Sequence, residues 1–239
     1  MIPLMNHASY HRLRELKREL DAASPNIAHV FVPVASHAVG RAPFRILFVD
    51  GATTDYSEDR VATYEGAIQR DIEIAKNFLA RRQTPFWQFS YDVLCGVLER
   101  CKGASSNLHD LIGWSNLVKI GDIKGDPTQD SLEKQAGLCI EQLRVEIAAL
   151  RPDAIVLPTS NCAENEILYP VFHRDGWNWD NADYDRVAFK RDPETGTLVV
   201  WTNHPQSMGP SGYRTAATRM TVELVARAVA GQELPGSGA

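Results

Sequence analysis

The sequence predicts an α/β fold: a three-layer sandwich with a central, mostly parallel β-sheet flanked by helices. Short apolar runs that end in turn residues alternate with longer segments in which apolar residues recur every three or four positions. This alternation is typical of parallel strands connected by crossover helices. The chain has 239 residues, of which 44% are hydrophobic, so it can bury one sizeable core. We expect a single domain over 1–239, with an N-terminal helical extension over 1–40 and a flexible tail over 231–239.

The predicted strands are short, apolar and partly β-branched, and they cover 45–49, 112–122, 154–157, 186–191 and 197–203. The predicted helices cover 9–22, 61–82, 86–102, 130–150, 162–172 and 213–230. In the fourth helix, Asp130 and Glu133 have the spacing of a capping pair. An aromatic loop with Trp177 and Trp179 follows the fifth helix, and its sequence is compatible with either a lid or a surface for a partner.

The net charge and the hydropathy of the chain limit the kinds of partner that it can bind. The formal net charge of −5 argues against a large surface that coats DNA without specificity, although it allows a small local contact with phosphates. No segment approaches the roughly 20 apolar residues that span a bilayer. The first ten residues have neither a basic start nor a long hydrophobic run, which argues against a secretory signal. We therefore expect a cytoplasmic protein without a membrane partner.

The potential metal ligands do not form a recognisable site. Cys95, Cys101, Cys139 and Cys162 are scattered and include no Cys-x-x-Cys pair, so we expect reduced cysteines. His7 and His11 are four residues apart, as many metal ligands are, but no third ligand is evident. The sequence thus predicts neither a bound metal nor a cofactor.

Polar residues follow two of the predicted strands and interrupt a third. Ligands of such sheets bind outside the carboxyl ends of the strands, so these three segments are candidates for one site. The first is "VDGATTDY", the second contains Asn116 within "WSNLVK", and the third is "NHPQSMGPSG" with His204. A buried structural amide is the simpler interpretation of Asn116, and a turn residue is the simpler interpretation of His204, when each is considered alone.

The order of these segments resembles the motifs of the uracil-DNA glycosylase superfamily. The resemblance extends over about residues 45–230 and includes a helix followed by "LRPDAIVL" and the late "HPQS". In that superfamily the first motif positions a hydrolytic water, and a central Asn reads the Watson–Crick edge of an extruded pyrimidine. The His-Pro-x-Ser loop supplies a His against the base O2 and grips the DNA backbone. The resemblance therefore implies DNA that contains an altered base as the partner.

The resemblance also implies roles for individual residues. Asn116 would read the base, His204 would act as the electrophile, and Ser207 would contact a phosphate. "TPFWQFS" is similar to the family segment with a base-stacking aromatic, which suggests Phe86, or Trp87 in its place. Two more residues are predicted to contact DNA: Met208 as a wedge in the gap left by the extruded base, and Lys119.

The first motif departs from the family pattern. In one alignment Ala52, and in the other Thr53, occupies the position where the family has an acid or amide. Gly51 and Ala52 would line the substrate, and the flanking Asp50 and Asp55 are the candidate catalytic acids.

One branch of the superfamily carries an iron–sulfur cluster, and its cysteines give a second comparison. Cys139 corresponds to the fourth cluster cysteine, but the third would fall near Ile120 and the N-terminal pair has no counterpart. We therefore expect no cluster.

The chemistry of an N-glycosidic bond accounts for these residue types. Cleavage leaves negative charge on the base and positive charge on the sugar, so a donor near the base and an anion near C1′ both lower the barrier. An amide supplies one donor and one acceptor to a base edge. Extruding the base costs a few kcal/mol, and aromatic stacking can offset about 1 to 3 kcal/mol of this.

Three functions remain open at the level of sequence. The first is a DNA glycosylase that hydrolyses the N-glycosidic bond of a flipped uracil or other altered base. The alternative is a noncatalytic member of the same fold that binds nucleic acid or a nucleobase, which the missing acid in "GATTD" and the negative charge suggest. The third is an esterase-type hydrolase, because "ILFVDGATTD" faintly resembles a Gly-Asp-Ser loop. It would lack the nucleophilic Ser, as well as the Asp expected three residues before His204.

Overall fold

The helices and strands alternate along the chain largely as expected. The computed structural model describes residues 7–23, 27–31, 33–35, 44–52, 66, 69, 73, 77, 84–101, 108, 111–122, 127–159, 165–172, 180–183, 187–206, 208 and 212–234. Within these residues the helices are α1 (Ala8–Ala23), α2 (Pro85–Arg100), α3 (Gln129–Leu150), α4 (Asn165–Phe172) and α5 (Gly212–Val229). The strands are β1 (Ile27–Val30), β2 (Val34–Ala35), β3 (Ile46–Ala52), β4 (Ile112–Val118), β5 (Ile120–Asp122), β6 (Ala154–Pro158), β7 (Asp180–Asp183), β8 (Val187–Arg191) and β9 (Leu198–Thr202).

The main sheet has seven strands in the order β2-β4-β3-β6-β9-β8-β7. Its central strands β4, β3, β6 and β9 are parallel to one another, whereas β2, β8 and β7 pair antiparallel at the two sides. Helices cover both faces. The predicted α/β architecture with a mostly parallel central sheet is therefore confirmed.

The two faces of the sheet bury different side chains because successive residues of a strand point in opposite directions. In β3, Ile46 and Phe48 pack in the cluster formed with α2 and α5, and Leu47 and Val49 pack in the cluster formed with α1, α3 and α4. We call these faces the α2/α5 face and the α3 face. The alternation continues to Asp50, which belongs to the α2/α5 face.

The N-terminal segment is more than a helical extension. After α1, strand β1 pairs antiparallel with β5, and β2 pairs antiparallel with β4 in the main sheet. Tyr10, Leu13 and Phe31 are buried in the core. The expectation of a purely helical extension over 1–40 is thus corrected by β1 and β2.

Side-chain caps determine where two of the helices begin. The Thr84 hydroxyl accepts a hydrogen bond from the Trp87 backbone N–H, and Pro85 occupies the first turn of α2, where its missing N–H costs nothing. In α3 the cap is Thr128, whose hydroxyl accepts from the Ser131 backbone N–H. The prediction that Asp130 caps this helix is wrong, since Asp130 lies in its first turn and forms an ion pair with Lys134.

The predicted helix over 61–82 falls mostly outside the described residues. Its described positions, 66, 69, 73 and 77, are helical, and the Gln69 side chain donates to the Glu73 carboxylate one turn later. Among the described helices, no segment combines the length and the hydropathy needed to cross a membrane.

Candidate functional site at the carboxyl edge of the sheet

Two of the predicted site residues are neighbours on adjacent strands. Asp50 on β3 is the register partner of Asn116 on β4. Because the strands are parallel and the residues are paired, the two side chains project from the same face, which is the α2/α5 face. The sheet therefore places a carboxylate beside an amide at the carboxyl ends of its central strands.

His204 reaches the same edge from the loop after β9. Its Nε2 lies 3.5 Å from Oδ1 of Asp50, and the two side chains are 27% and 15% exposed. The contact joins β3 to the end of β9 across β6, which lies between them in the sheet. The structure thus brings together two predicted catalytic residues that are 154 positions apart, counted from 50 to 204.

One hydrogen bond indicates which nitrogen of the His204 ring accepts and which donates. The backbone N–H of Gln206 donates to Nδ1 over 3.2 Å. Since Nδ1 accepts a hydrogen bond, the neutral ring carries its proton on Nε2, the nitrogen that faces Asp50. Oδ1 of Asp50 also accepts the Gly51 backbone N–H, at 2.9 Å.

Asn116 is in the predicted place but is almost inaccessible, with 2% exposure. It follows Ser115, whose side chain belongs to the opposite face and is also buried. A ligand that reads the Asn116 amide must reach a group enclosed by its neighbours.

The aromatic residues predicted to stack on a base belong to the core. Phe86 and Trp87 are buried, and their rings meet edge to face with centroids 5.1 Å apart. Trp87 also meets Trp114 on β4 edge to face, at 4.9 Å. These rings attach the start of α2 to β4 below Asn116, and in this arrangement Phe86 has no exposed face on which a base could stack.

The structure argues against the predicted contact of Lys119 with DNA. The side chains of Lys119 and Glu146 are both 0% exposed, and Nζ lies 2.8 Å from the Glu146 carboxylate. Nζ also donates to Ser115 Oγ at 2.7 Å, and it lies 5.6 Å from the centre of the Phe31 ring. A phosphate contact would require the ammonium group to leave this ion pair and the core.

Met208 lies just beyond the His-Pro pair, as expected, but its side chain is packed in the cluster on the α2/α5 face and is 4% exposed. This burial argues against a wedge that enters a duplex in this conformation. Gly51 and Ala52 are half-buried at the end of β3, where substrate lining was predicted. Ser207 and Asp55 lie outside the described residues, as do Trp177 and Trp179.

Sequence reasoning missed a buried polar network on the α3 face. Ser9 donates to Gln142, Gln142 donates to Glu146, and Ser115 donates to Glu146 at 2.5 Å. Nearby, Gln135 both accepts from and donates to the backbone of Ile120. A signal was present: in α3 these polar residues share the helical spacing of the apolar core positions Leu132, Cys139, Leu143 and Leu150.

The described cysteines behave as buried or half-buried thiols. Burial raises the pKa of Cys139 to about 12, and the backbone N–H of Lys119, which donates to its sulfur, opposes this only in part. Burial also raises the pKa of Cys101. In the described part of the chain no three His, Cys, Asp or Glu side chains are arranged to hold a metal ion.

Comparison of the chain with models of protein families gives no match, and comparison with curated protein sequences gives none either. The functional interpretation therefore depends on the geometry of the carboxyl edge and on the order of the sequence motifs.

Proposed function

We propose that this protein is a DNA glycosylase of the uracil-DNA glycosylase type, which hydrolyses the N-glycosidic bond of a flipped uracil or other altered base. The observation that carries the proposal is the contact between Asp50 and His204, at 3.5 Å, beside the register partner of Asp50, Asn116. An anion, a hydrogen-bond donor and an amide meet at the edge where ligands of such sheets bind.

Each of these groups matches a requirement of the reaction. The Nε2–H of His204 can donate to the base oxygen on which negative charge develops as the bond breaks. The Asp50 carboxylate can orient a water molecule or stabilise the positive charge that develops at C1′. Asn116 supplies the amide that pairs with the base edge. None of these roles requires a metal or another cofactor.

The test is cleavage of oligonucleotides that carry one altered base, either uracil or hypoxanthine, followed by alkali to break the strand at the abasic site. The wild-type protein should leave alkali-labile sites with at least one of them. Replacing His204 by Ala should reduce the rate by about 100- to 1,000-fold, as for the loss of one donor to a developing oxyanion. His11→Ala is the matched control, because His11 is exposed on α1, on the opposite face of the sheet. Folded wild-type protein that leaves every such oligonucleotide intact would contradict the proposal.

A second candidate is a noncatalytic protein that binds nucleic acid or a nucleobase at the same edge. It is favoured by the residues after Asp50, since Gly51 and Ala52 bring no acidic side chain to the end of β3. This candidate predicts binding to a duplex with an altered base, no cleavage, and weaker binding after Asn116→Ala. Absence of binding at moderate salt would exclude it. The esterase hypothesis gains no support, because Ala52, one of the two positions that correspond to its nucleophilic Ser, has no nucleophilic side chain, and the other, Thr53, lies outside the described residues.

A further inference from the structure

His204 already has a partner at each ring nitrogen in the free protein. Gln206 N–H occupies Nδ1 at 3.2 Å, and Asp50 Oδ1 lies 3.5 Å from Nε2. The nitrogen that would donate to a substrate therefore lies beside a carboxylate of the protein itself. A substrate oxygen that takes this hydrogen has to compete with the attraction of that carboxylate.

The Asp50 carboxylate is better anchored than the imidazole. Asp50 lies within β3, and its backbone is paired with β4 at Asn116. Its Oδ1 also accepts the Gly51 N–H at 2.9 Å. His204 lies two residues beyond Thr202, the last residue of β9, and outside any helix or strand. The backbone of Asp50 is therefore held by strand pairing, whereas that of His204 is not.

The contact itself is weak. Its length of 3.5 Å exceeds the 2.7 to 2.9 Å that is usual for a charge-assisted N–H to carboxylate hydrogen bond. Among the described residues, no group donates to the second carboxylate oxygen, Oδ2, and the Asp50 side chain is 15% exposed. The carboxylate is thus in part open to a new partner when His204 leaves.

We propose that Asp50 is an internal competitor for His204: its carboxylate, 3.5 Å from Nε2, attracts the Nε2–H in the free protein, and a carbonyl oxygen of the substrate takes its place. This inference rests on the function proposed above. The step changes only non-covalent contacts, and no proton is transferred. The exchange couples recognition to catalysis, because a bound carbonyl releases the anion that then acts on water or on the sugar.

The competition has a measurable consequence. Removal of the carboxylate should tighten the binding of a ligand that uses the Nε2–H, since the ligand no longer has to displace it. A loose, partly exposed pair of this kind is worth little, so the expected gain is about two- to fivefold in affinity. The gain must disappear when His204 is absent. A purely structural effect of the substitution would not depend on His204.

The experiment is a double-mutant cycle with free uracil as the probe. Dissociation constants are measured by NMR titration for the wild type, Asp50→Ala, His204→Ala and the double variant. Asp50→Ala should bind uracil more tightly than the wild type yet cleave no uracil-containing oligonucleotide, and the double variant should bind like His204→Ala. Asp130→Ala, on the exposed first turn of α3, is the control and should bind like the wild type.

The results distinguish failure of the inference from failure of the proposed function. If the wild type cleaves but Asp50→Ala shows no gain, or keeps its gain without His204, the competition is wrong and the function stands. If no variant binds uracil and the wild type cleaves nothing, both are wrong. Should Asp50→Ala fail to fold, Asp50→Asn keeps the size and an acceptor atom but removes the charge, and a smaller gain in affinity is expected.

Nitrogen-15 NMR of the free protein gives a test without a ligand: the His204 proton should be on Nε2, and a proton on Nδ1 alone would overturn the inference.

Discussion

Two glycines in helix interiors allow the packing between α2 and α5 to be measured directly. A methyl group added to Gly96 in α2 would lie 2.8 and 2.9 Å from the two γ-carbons of Val222 in α5, closer than carbon atoms approach one another. A methyl group added to Gly137 in α3 would have no atom of the described residues within 4 Å, apart from its chain neighbours and the backbone of its own helix. Substitution by Ala thus produces a steric clash at Gly96 and no new contact at Gly137.

The magnitude follows from two opposing effects. Ala is favoured over Gly in a helix interior by about 1 kcal/mol, and this gain should apply at both positions. Overpacking at Gly96 costs about 1 to 3 kcal/mol, because Val222 is buried and its branched side chain is stiff. Gly137→Ala should therefore raise the free energy of unfolding by about 1 kcal/mol, and Gly96→Ala should lower it by up to about 2 kcal/mol.

Urea denaturation followed by tryptophan fluorescence measures both variants under the same conditions. Since the helix-propensity effect is common to both, the difference between them isolates the packing penalty at Gly96. Combining Gly96→Ala with Val222→Ala should remove the collision, so the two substitutions should be less harmful together than the sum of their separate effects. If Gly96→Ala stabilises the protein as much as Gly137→Ala does, the close contact between α2 and α5 is wrong.

Three further predictions concern stability and reactivity. Lys119→Met should lower the free energy of unfolding by about 3 to 5 kcal/mol, because it leaves Glu146 buried without its cation. Adding Glu146→Leu should recover most of this loss in the same denaturation assay. A double variant no more stable than Lys119→Met would contradict the prediction. Arg151 follows α3 with φ of 45°, so Arg151→Gly should relieve strain and raise the thermal midpoint by a few degrees, and an unchanged or lower midpoint would refute this. Cys139 should resist a thiol reagent at pH 8 until the protein unfolds, and mass spectrometry of labelled native protein would detect the contrary. Because its pKa is raised from 9.0 to about 12 in the fold, the stability that it contributes is complete below pH 9 and should decline between pH 9 and 12.

The sequence predicted the parts of the fold that follow from periodicity. Alternation and apolar runs located β3, β4, β6, β8 and β9, because a strand buried in the centre of a sheet must be apolar over most of its length. The short strand β2 has only two residues and β1 has four, which is too few for a periodic signal. The cap of α3 was misplaced because Thr128 and Asp130 are both good capping residues, and only the geometry distinguishes them.

The candidate site was predictable where position along a strand was sufficient. Asp50 and His204 follow apolar runs and Asn116 interrupts one, and the parallel direction of the three strands brings them to one edge. The predicted contact of Lys119 with DNA assumed an exposed side chain, but Lys119 is buried because it pairs with Glu146. The sequence does not show that Glu146 is buried, since a charged residue in a helix is usually exposed. The type of a residue alone does not show whether its charged side chain forms an ion pair in the core.

The attachment of the N-terminal segment also bears on how the chain folds. Ser9 donates to Gln142, 133 residues away in sequence, and β2 pairs with residues 113 and 114 of β4. Contacts between such distant residues form late, because a long loop must close before they gain anything. During synthesis, α1 and the first two strands are therefore made long before their partners exist. Phe31 lacks the ring of Trp114 until β4 has been made, and Tyr10 and Leu13 lack their partners on α3 until most of that helix has been made, so exposure of this segment to aggregation is prolonged.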